Sequence, residues 1–356
     1  MVRFGKGFAI AAAAALVFAA GTASAQFYKG KRVTMLINYG AGGPTDIEGR
    51  IVARHLPKHI PGNPTIIVKN MPGGGGMIAS NNLGEIAKPD GMTFGFFTWN
   101  VLAGMIGDPG LRVSYDKFRF IAGIANPVVM YARKDTPPGV AGGDDLMKAS
   151  GFKGCSLNAR NTNTIQQVLA LEMLGIDHKP VPGYRVLKAV EAAVLKGECH
   201  VANSSLPGWK GSIIPTMGKD VVPVFQLVVP DENGKISRAT ALADIPTFEE
   251  YFRKHKGSAP SGQKYEALRK IVDSFMAMFR TAFAAPGAPE ESVEALRTAF
   301  RSMWKDEAFL AEYEKRVRNR PSLIVGDEGE KRIAALSKID PKLEALFKNY
   351  IAKLSN

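Results

Sequence analysis

The chain has 356 residues, 46% of them hydrophobic and 22% charged, a formal net charge of +13, and two cysteines. A positive balance favours anionic partners. The basic residues are nevertheless scattered, with KGKR at 29–32 the densest patch and no arginine-rich tail or zinc-finger spacing, so nucleic acid is disfavoured as a partner. Cys155 and Cys199 without a close histidine pairing argue against a zinc site.

Arg3 and Lys6 open a short basic start, Phe8 to Ala20 is apolar throughout, and Ala23-Ser24-Ala25 before Gln26 has the small-x-small form of a leader cleavage site. The apolar run is short for a bilayer span and no later segment is apolar for long enough. Residues 1–25 are therefore expected to be a signal peptide, leaving a soluble mature chain. Removing it takes away two basic residues and no acid, so the charge falls from +13 to +11. Single cores stop growing at about 250 to 300 residues, and two domains are the default expectation for what remains.

Past the leader the pattern alternates. RVTMLINY reads as a strand, Asp46 to Leu56 as a helix with Ile47, Ile51, Val52 and Leu56 on one side, TIIVKN as a strand, MIASNNLGEIA as a helix and MTFGFFTW as a strand. Such alternation predicts an α/β fold with a mainly parallel sheet flanked by helices, and sites at the carboxyl ends of its strands. A second series begins near Asn126: NPVVMYAR and GCSLNA as strands, TIQQVLALEMLG and VLKAVEAAVLKG as helices, CHVANSS as a strand. The chain is expected to return to the first unit through VVPVFQLVV, which makes the first domain discontinuous (26–125 and 224–356) around a second domain at 126–223. PDENGKISRAT and KGSAPSGQ read as loops, and Pro289 to Arg318 as strongly helical. Cys155 and Cys199 each open a strand-like stretch in a setting that permits a disulfide if the fold brings their Cα atoms within about 7 Å.

The loop NYGAGGPTDI, residues 38–47, stands between the first strand and the first helix. A dinucleotide fingerprint needs a third glycine where Thr45 stands, and a phosphate loop needs Gly-Lys-Ser/Thr where the chain has Pro-Thr-Asp. No nucleotide and no other cofactor is expected. The loop keeps the physics of an anion cradle: glycines admit close approach, Pro44 suits a first helical turn, and the free N–H groups favour a carboxylate. NMPGGGGM at 70–77 repeats the feature more weakly. A purely structural strand-to-helix turn is the competing reading.

YGAGGPTDIEGRIVARHL, IIVKNMPGGGGMIASNNL, KPDGMTFGF, GYRVLKAVEAAVLKGE, IPTFEE and APGAP, in this order, resemble the Bug-type substrate-binding receptors of tripartite tricarboxylate transporters. The resemblance runs over most of the mature chain. It implies a two-lobed, Venus-flytrap periplasmic binding protein of type II-like form, a monomer that delivers a dicarboxylate, tricarboxylate or aromatic carboxylate to membrane permease subunits. Carried over by position, the first-lobe ligand residues are Tyr39, Gly42, Gly43, Pro44, Thr45 and Asp46. The facing loop ARNTNT gives Arg160, Thr162, Asn163 and Thr164, where the family has small residues and glycine; Arg160 adds a bidentate carboxylate partner or stands exposed. Trp99 and Asn100 fall at the expected cleft mouth, Trp99 against ligand or as an interdomain contact. Tyr184 stands in PGYR where the family has a Pro-Tyr pair, and Asn203 is placed to donate to a ligand oxygen. The stretch from about 228 to 280 is longer than the family pattern.

An enzyme is the opposing class. The five histidines form no H-E-x-x-H, and no G-x-S-x-G elbow is present. His55 and His59 have helical spacing interrupted by Pro57 and read as surface residues. The remaining alternatives are a receptor feeding a membrane sensor kinase and a secreted hydrolase of carboxylate esters.

Overall fold

In a computed structural model, residues 27–231, 233–318 and 320–355 are described. The expected leader and its cleavage site lie outside them.

The first sheet grows from β1 (Arg32–Ile37), which feeds α1 (Pro44–His55) and then β2 (Thr65–Asn70), α2 (Met77–Asn81), β3 (Thr93–Phe97), α3 (Val101–Met105) and β4 (Arg119–Ile124). Helix α1 starts where Pro44 pre-sets the first turn, and it buries Ile51 and Val52. Gly49 lets it lie close on the sheet: a Cβ there would stand 2.6 Å from the Ile37 side chain and 3.2 Å from Phe96.

Ala125 to Pro127 then carry the chain into a second sheet, made by β5 (Val128–Arg133), β6 (Phe152–Cys155), α4 (Thr162–Met173), β7 (His178–Val181), α5 (Leu187–Leu195), β8 (Val201–Ser205) and β9 (Val221–Leu227). Two helices follow, α6 (Phe248–Lys256) and α7 (Gln263–Met276), before β10 (Arg280–Ala284) re-enters the first sheet. The chain closes with α8 (Glu290–Met303), α9 (Glu307–Val317), β11 (Leu323–Val325), α10 (Asp327–Ala334) and α11 (Pro341–Ser355).

The sheet orders are β11-β4-β10-β3-β1-β2 and β7-β6-β8-β5-β9. Apart from β11, the two are the same arrangement: second, first and third strand of each unit, then a strand belonging to a crossing, then the fourth. Both sheets are mixed. Strands β1 to β4 run one way, with β10 and β11 against them, and in the second sheet only β5 opposes the rest. This is the two-lobed α/β architecture expected from the alternating pattern, with a mainly unidirectional sheet in each lobe.

Two expectations are corrected. Val221–Leu227 pairs along its whole length with β5 in the second sheet, so the return expected at 224 occurs instead at Arg280. The stretch 228–280 is accordingly a helical annex, α6 against β9 and α7 against α4. The helix expected from Pro289 to Arg318 is two helices, broken at Trp304 to Asp306, where Asp306 caps α9 by accepting from Ala308 N at 2.9 Å.

The two crossings touch: Asn126 N donates to Met276 O at 3.2 Å. Helix α11 adds a third tie. It buries Phe347, Tyr350 and Ile351, and Tyr350 OH bonds to Glu172 of α4. Cys155 at the end of β6 and Cys199 just before β8 form a disulfide, with Cα atoms 5.7 Å apart.

Candidate ligand site between the lobes

The carboxyl ends of β1, β3, β6 and β8 meet at the cleft, as they must when two such sheets face each other across a hinge. Asn38, the residue after β1, clamps the end of β3: its Nδ2 donates to Thr98 O at 2.8 Å and its Oδ1 accepts from Thr98 N at 3.0 Å. The glycine turn 73–76 packs on this clamp. All four glycines have positive φ, and a Cβ on Gly76 would stand 2.4 Å from Asn38 Nδ2, so the second glycine run serves close packing behind the site.

In the first cradle Asp46 is a brace. Its carboxylate accepts from Gly42 N at 2.8 Å, from Asn70 Nδ2 at 2.9 Å and from Arg50 Nε at 2.9 Å. Burial works against the charge, but Arg50, the Gly42 amide and Asn70 together hold the carboxyl below its ordinary range. Gly42 takes φ +74°, and Pro44 lies against Gly208, at the helical turn after β8. Tyr39 is buried, and burial raises its hydroxyl to about 12, against the lowering effect of the Asn161 hydrogen bond.

The facing loop after β6 closes on itself and on the first lobe. Asn158 Oδ1 accepts from Arg160 N, and Asn161 Oδ1 from Asn163 N, each at 3.0 Å. Across the cleft, Asn161 Nδ2 donates to Tyr39 OH at 3.0 Å, Asn100 Nδ2 to Arg160 O at 3.0 Å, and Thr162 Oγ1 to Asn100 Oδ1 at 3.1 Å. Arg160 Nη1 pairs with Asp108 at 2.8 Å; the Arg160 side chain is 46% exposed and that of Asp108 2%. The lobes are in contact.

Between them lies a narrow, tightly closed cleft lined by residues of both lobes. Of the residues singled out from sequence, Tyr39, Thr45, Asn163 and Asn203 line it. Gly42, Gly43, Pro44 and Asp46 do not line it but surround Thr45 in the chain, and Asn100, Arg160 and Thr162 bond across the lobes without lining it. Trp99 is placed differently. It is 1% exposed and packs with Tyr115 and Phe283, ring centroids 5.4 and 6.0 Å away, so it is first-lobe core rather than a cleft-mouth ring. Thr164 bonds to Leu157 O and steadies its own loop. Tyr184 OH lies 3.3 Å from Cys199 Sγ and covers the disulfide, away from the cavity.

Sequence reasoning passed over part of the wall: Thr98, Ser204, Ser205, Phe279 and Arg280. Arg280 stands out. It is 1% exposed, its Nη1 donates to Thr98 Oγ1 at 2.5 Å, and its Nη2 forms an ion pair with Glu48 at 2.5 Å. Thr98 Oγ1 in turn lies 2.8 Å from Thr45 Oγ1. Glu48 also accepts from Asn126 Nδ2 at 3.2 Å and from Tyr313 OH at 2.6 Å, so the guanidinium is fixed to residues of the hinge. Its signal in the sequence was a single arginine inside the apolar run FMAMFRTAFAA, a cation that folding must either expose or pair.

No protein-family model and no curated protein sequence matches the chain. Solved structures do. The periplasmic binding protein BugD superposes with a TM-score of 0.67 at 19% identity, over 91% of this chain and 98% of that one. Rpa4515 of R. palustris with adipate gives 0.68 at 18%, over 91% and 97%. MatC (Rpa3494) of Rhodopseudomonas palustris with bound malate gives 0.61 at 18%, again over 91% and 97%. The chain has the fold of the Bug-type periplasmic binding proteins.

Proposed function

We propose that the chain is an extracytoplasmic receptor that captures a small organic carboxylate between its lobes and passes it to a membrane permease of the tripartite tricarboxylate type. The observation that carries this reading is the buried Arg280–Thr98–Thr45 array on the wall of a cavity that both lobes enclose. Glu48 already takes one edge of the guanidinium, Arg280 Nε has no hydrogen-bond partner in the protein, and a charged N–H beside hydroxyls in a low-dielectric cleft suits a carboxylate oxygen. Adipate in Rpa4515 and malate in MatC, proteins of the same fold, support the carboxylate class. The leader read from the first 25 residues directs the chain to the periplasm.

Closure follows from differential contact. A ligand touching both lobes makes more bonds in the closed form than in the open one, and shifts the hinge by that difference. The closed surface is what the permease recognises.

The test is a thermal-shift screen of the chain from Gln26, refolded from denaturant to strip bound molecules, against aliphatic and aromatic carboxylates and their amides. A carboxylate at about 100 times its Kd stabilises by roughly 2.7 kcal/mol and its amide does not. Silence across the panel from folded protein overturns the reading, and conversion of a bound acid to product replaces it with an enzyme. Loss of uptake of the same acid in cells lacking the receptor tests the permease step.

A further inference from the structure

The identity of the anion is narrowed by what the cavity contains and by what its loops have already satisfied. Among the described residues Arg280 is the one cationic side chain on its wall, and Glu48 lies directly behind it. The pair is neutral in sum. A first carboxylate therefore relies on directed donors, the guanidinium edge and the threonine hydroxyls, rather than on net positive charge, and a second carboxylate would find no further charged donor on the lining, where burying it is strongly unfavourable.

The facing loop does not supply the missing partner. Asn158 and Asn161 have turned their side-chain oxygens onto the Arg160 and Asn163 amides, groups that would otherwise be free to hold a second carboxylate. Arg160, the other cation nearby, is turned to Asp108 at the cleft mouth. What the second lobe offers is uncharged: Leu157 and Leu187, the Asn163 and Asn203 amides, and the Ser205 hydroxyl. Two of these point to a ligand independently of Arg280. Ser205 Oγ and Asn163 Oδ1 are more than nine-tenths buried on the cavity wall and have no hydrogen-bond partner in the protein.

We propose that the ligand is a small monocarboxylate, its one carboxylate taken by Arg280 with the Thr98 and Thr45 hydroxyls and its uncharged body lying on Leu157, Leu187 and Phe279 toward Ser205. This rests on the carboxylate-receptor reading and adds the ligand's charge. Arg280 opens β10 directly after the second crossing, and Glu48 holds Asn126 of the first. The anion therefore binds at the hinge itself.

The experiment is calorimetric titration of the stripped wild-type chain with two pairs matched in length, butyrate against succinate and hexanoate against adipate. The expected result is that at least one monocarboxylate binds about tenfold or more tightly than its matched dicarboxylate, tenfold being 1.4 kcal/mol. Equal or tighter binding of the dicarboxylate in both pairs overturns the monocarboxylate assignment and leaves the carboxylate reading standing. Binding of none of the four, and of no other carboxylate in the screen, overturns both. The paired variant Glu48→Gln with Arg280→Gln removes both buried charges together. It is expected to weaken the preferred acid about 10- to 150-fold, the range for a hydrogen bond to a charged group. Unchanged affinity in the folded variant removes Arg280 from the site. Ser205→Ala, outside the ion pair, is expected to weaken the same acid several-fold; if the charge variant fails to fold, an unchanged Ser205→Ala affinity and no preference in the matched pairs together overturn the assignment.

Discussion

Asp46 carries three partners on one carboxylate, and at a position where the sequence suggested a ligand contact it braces the glycine loop at the cleft. Asp46→Ala leaves the Gly42 amide and Asn70 without their acceptor and should cost about 1 to 3 kcal/mol in urea melts, with ligand affinity falling as the loop loosens. Affinity lost with no change in stability would return Asp46 to direct contact. Trp99 separates core from site in the same way. Trp99→Ala should destabilise by about 3 to 5 kcal/mol, the range for emptying an aromatic core position, whatever ligand is present. Thr45 and Asn203 were singled out from the turn after the first strand and from the end of a strand-like stretch, and the structure puts them on the cleft wall from the first turn of α1 and from within β8. Arg280 was overlooked because its role depends on Glu48 and Thr98, respectively 232 and 182 residues away in sequence.

Among elements, the pattern of each βαβ unit was readable locally and the sheet that owned each strand was not. VVPVFQL has the composition of a buried strand in either lobe; only its pairing with β5 decides, and that register is a contact between distant segments. The antiparallel crossing strand β10 was unread for the same reason. Cys155 and Cys199 lie 44 residues apart and tie the end of β6 to the start of β8, two strands whose ends form the second-lobe wall. Replacing both by serine should cost about 2 to 4 kcal/mol in the loop-closure picture and broaden ligand binding by loosening that wall. Equal stability of the oxidised protein and the double variant would remove the disulfide from the energetics of the lobe. The Arg160–Asp108 pair at the cleft mouth is half exposed on its arginine side and should contribute at most about 1 kcal/mol to closure.

For the whole molecule, carboxylates that join elements set the response to acid. Asp46, Glu172 between α4 and α11, and Glu312 between α9 and α1 are each opposed by burial, yet their cationic and hydrogen-bonding partners hold them below the ordinary carboxylate range. A depressed folded value means that the stability they contribute is complete above the unfolded value near 4 and is lost as pH falls through the lower folded one. Denaturant midpoints should therefore be flat around neutrality and drop below about pH 4; a midpoint that rises on acidification would contradict the assignment. The two-lobed form was foreseeable from two successive strand–helix series, whereas the third tie through α11 was not, because a helix pattern does not name the surface it covers.

The claim on which these relations converge is that an anion at Arg280 draws two hinged lobes together. Small-angle X-ray scattering from the stripped chain, alone and with the carboxylate that stabilises it most, tests this directly. Contraction of the radius of gyration on binding, with loss of the contraction in the Glu48→Gln, Arg280→Gln variant, is the expected result. A radius unchanged by a saturating, stabilising carboxylate would contradict it.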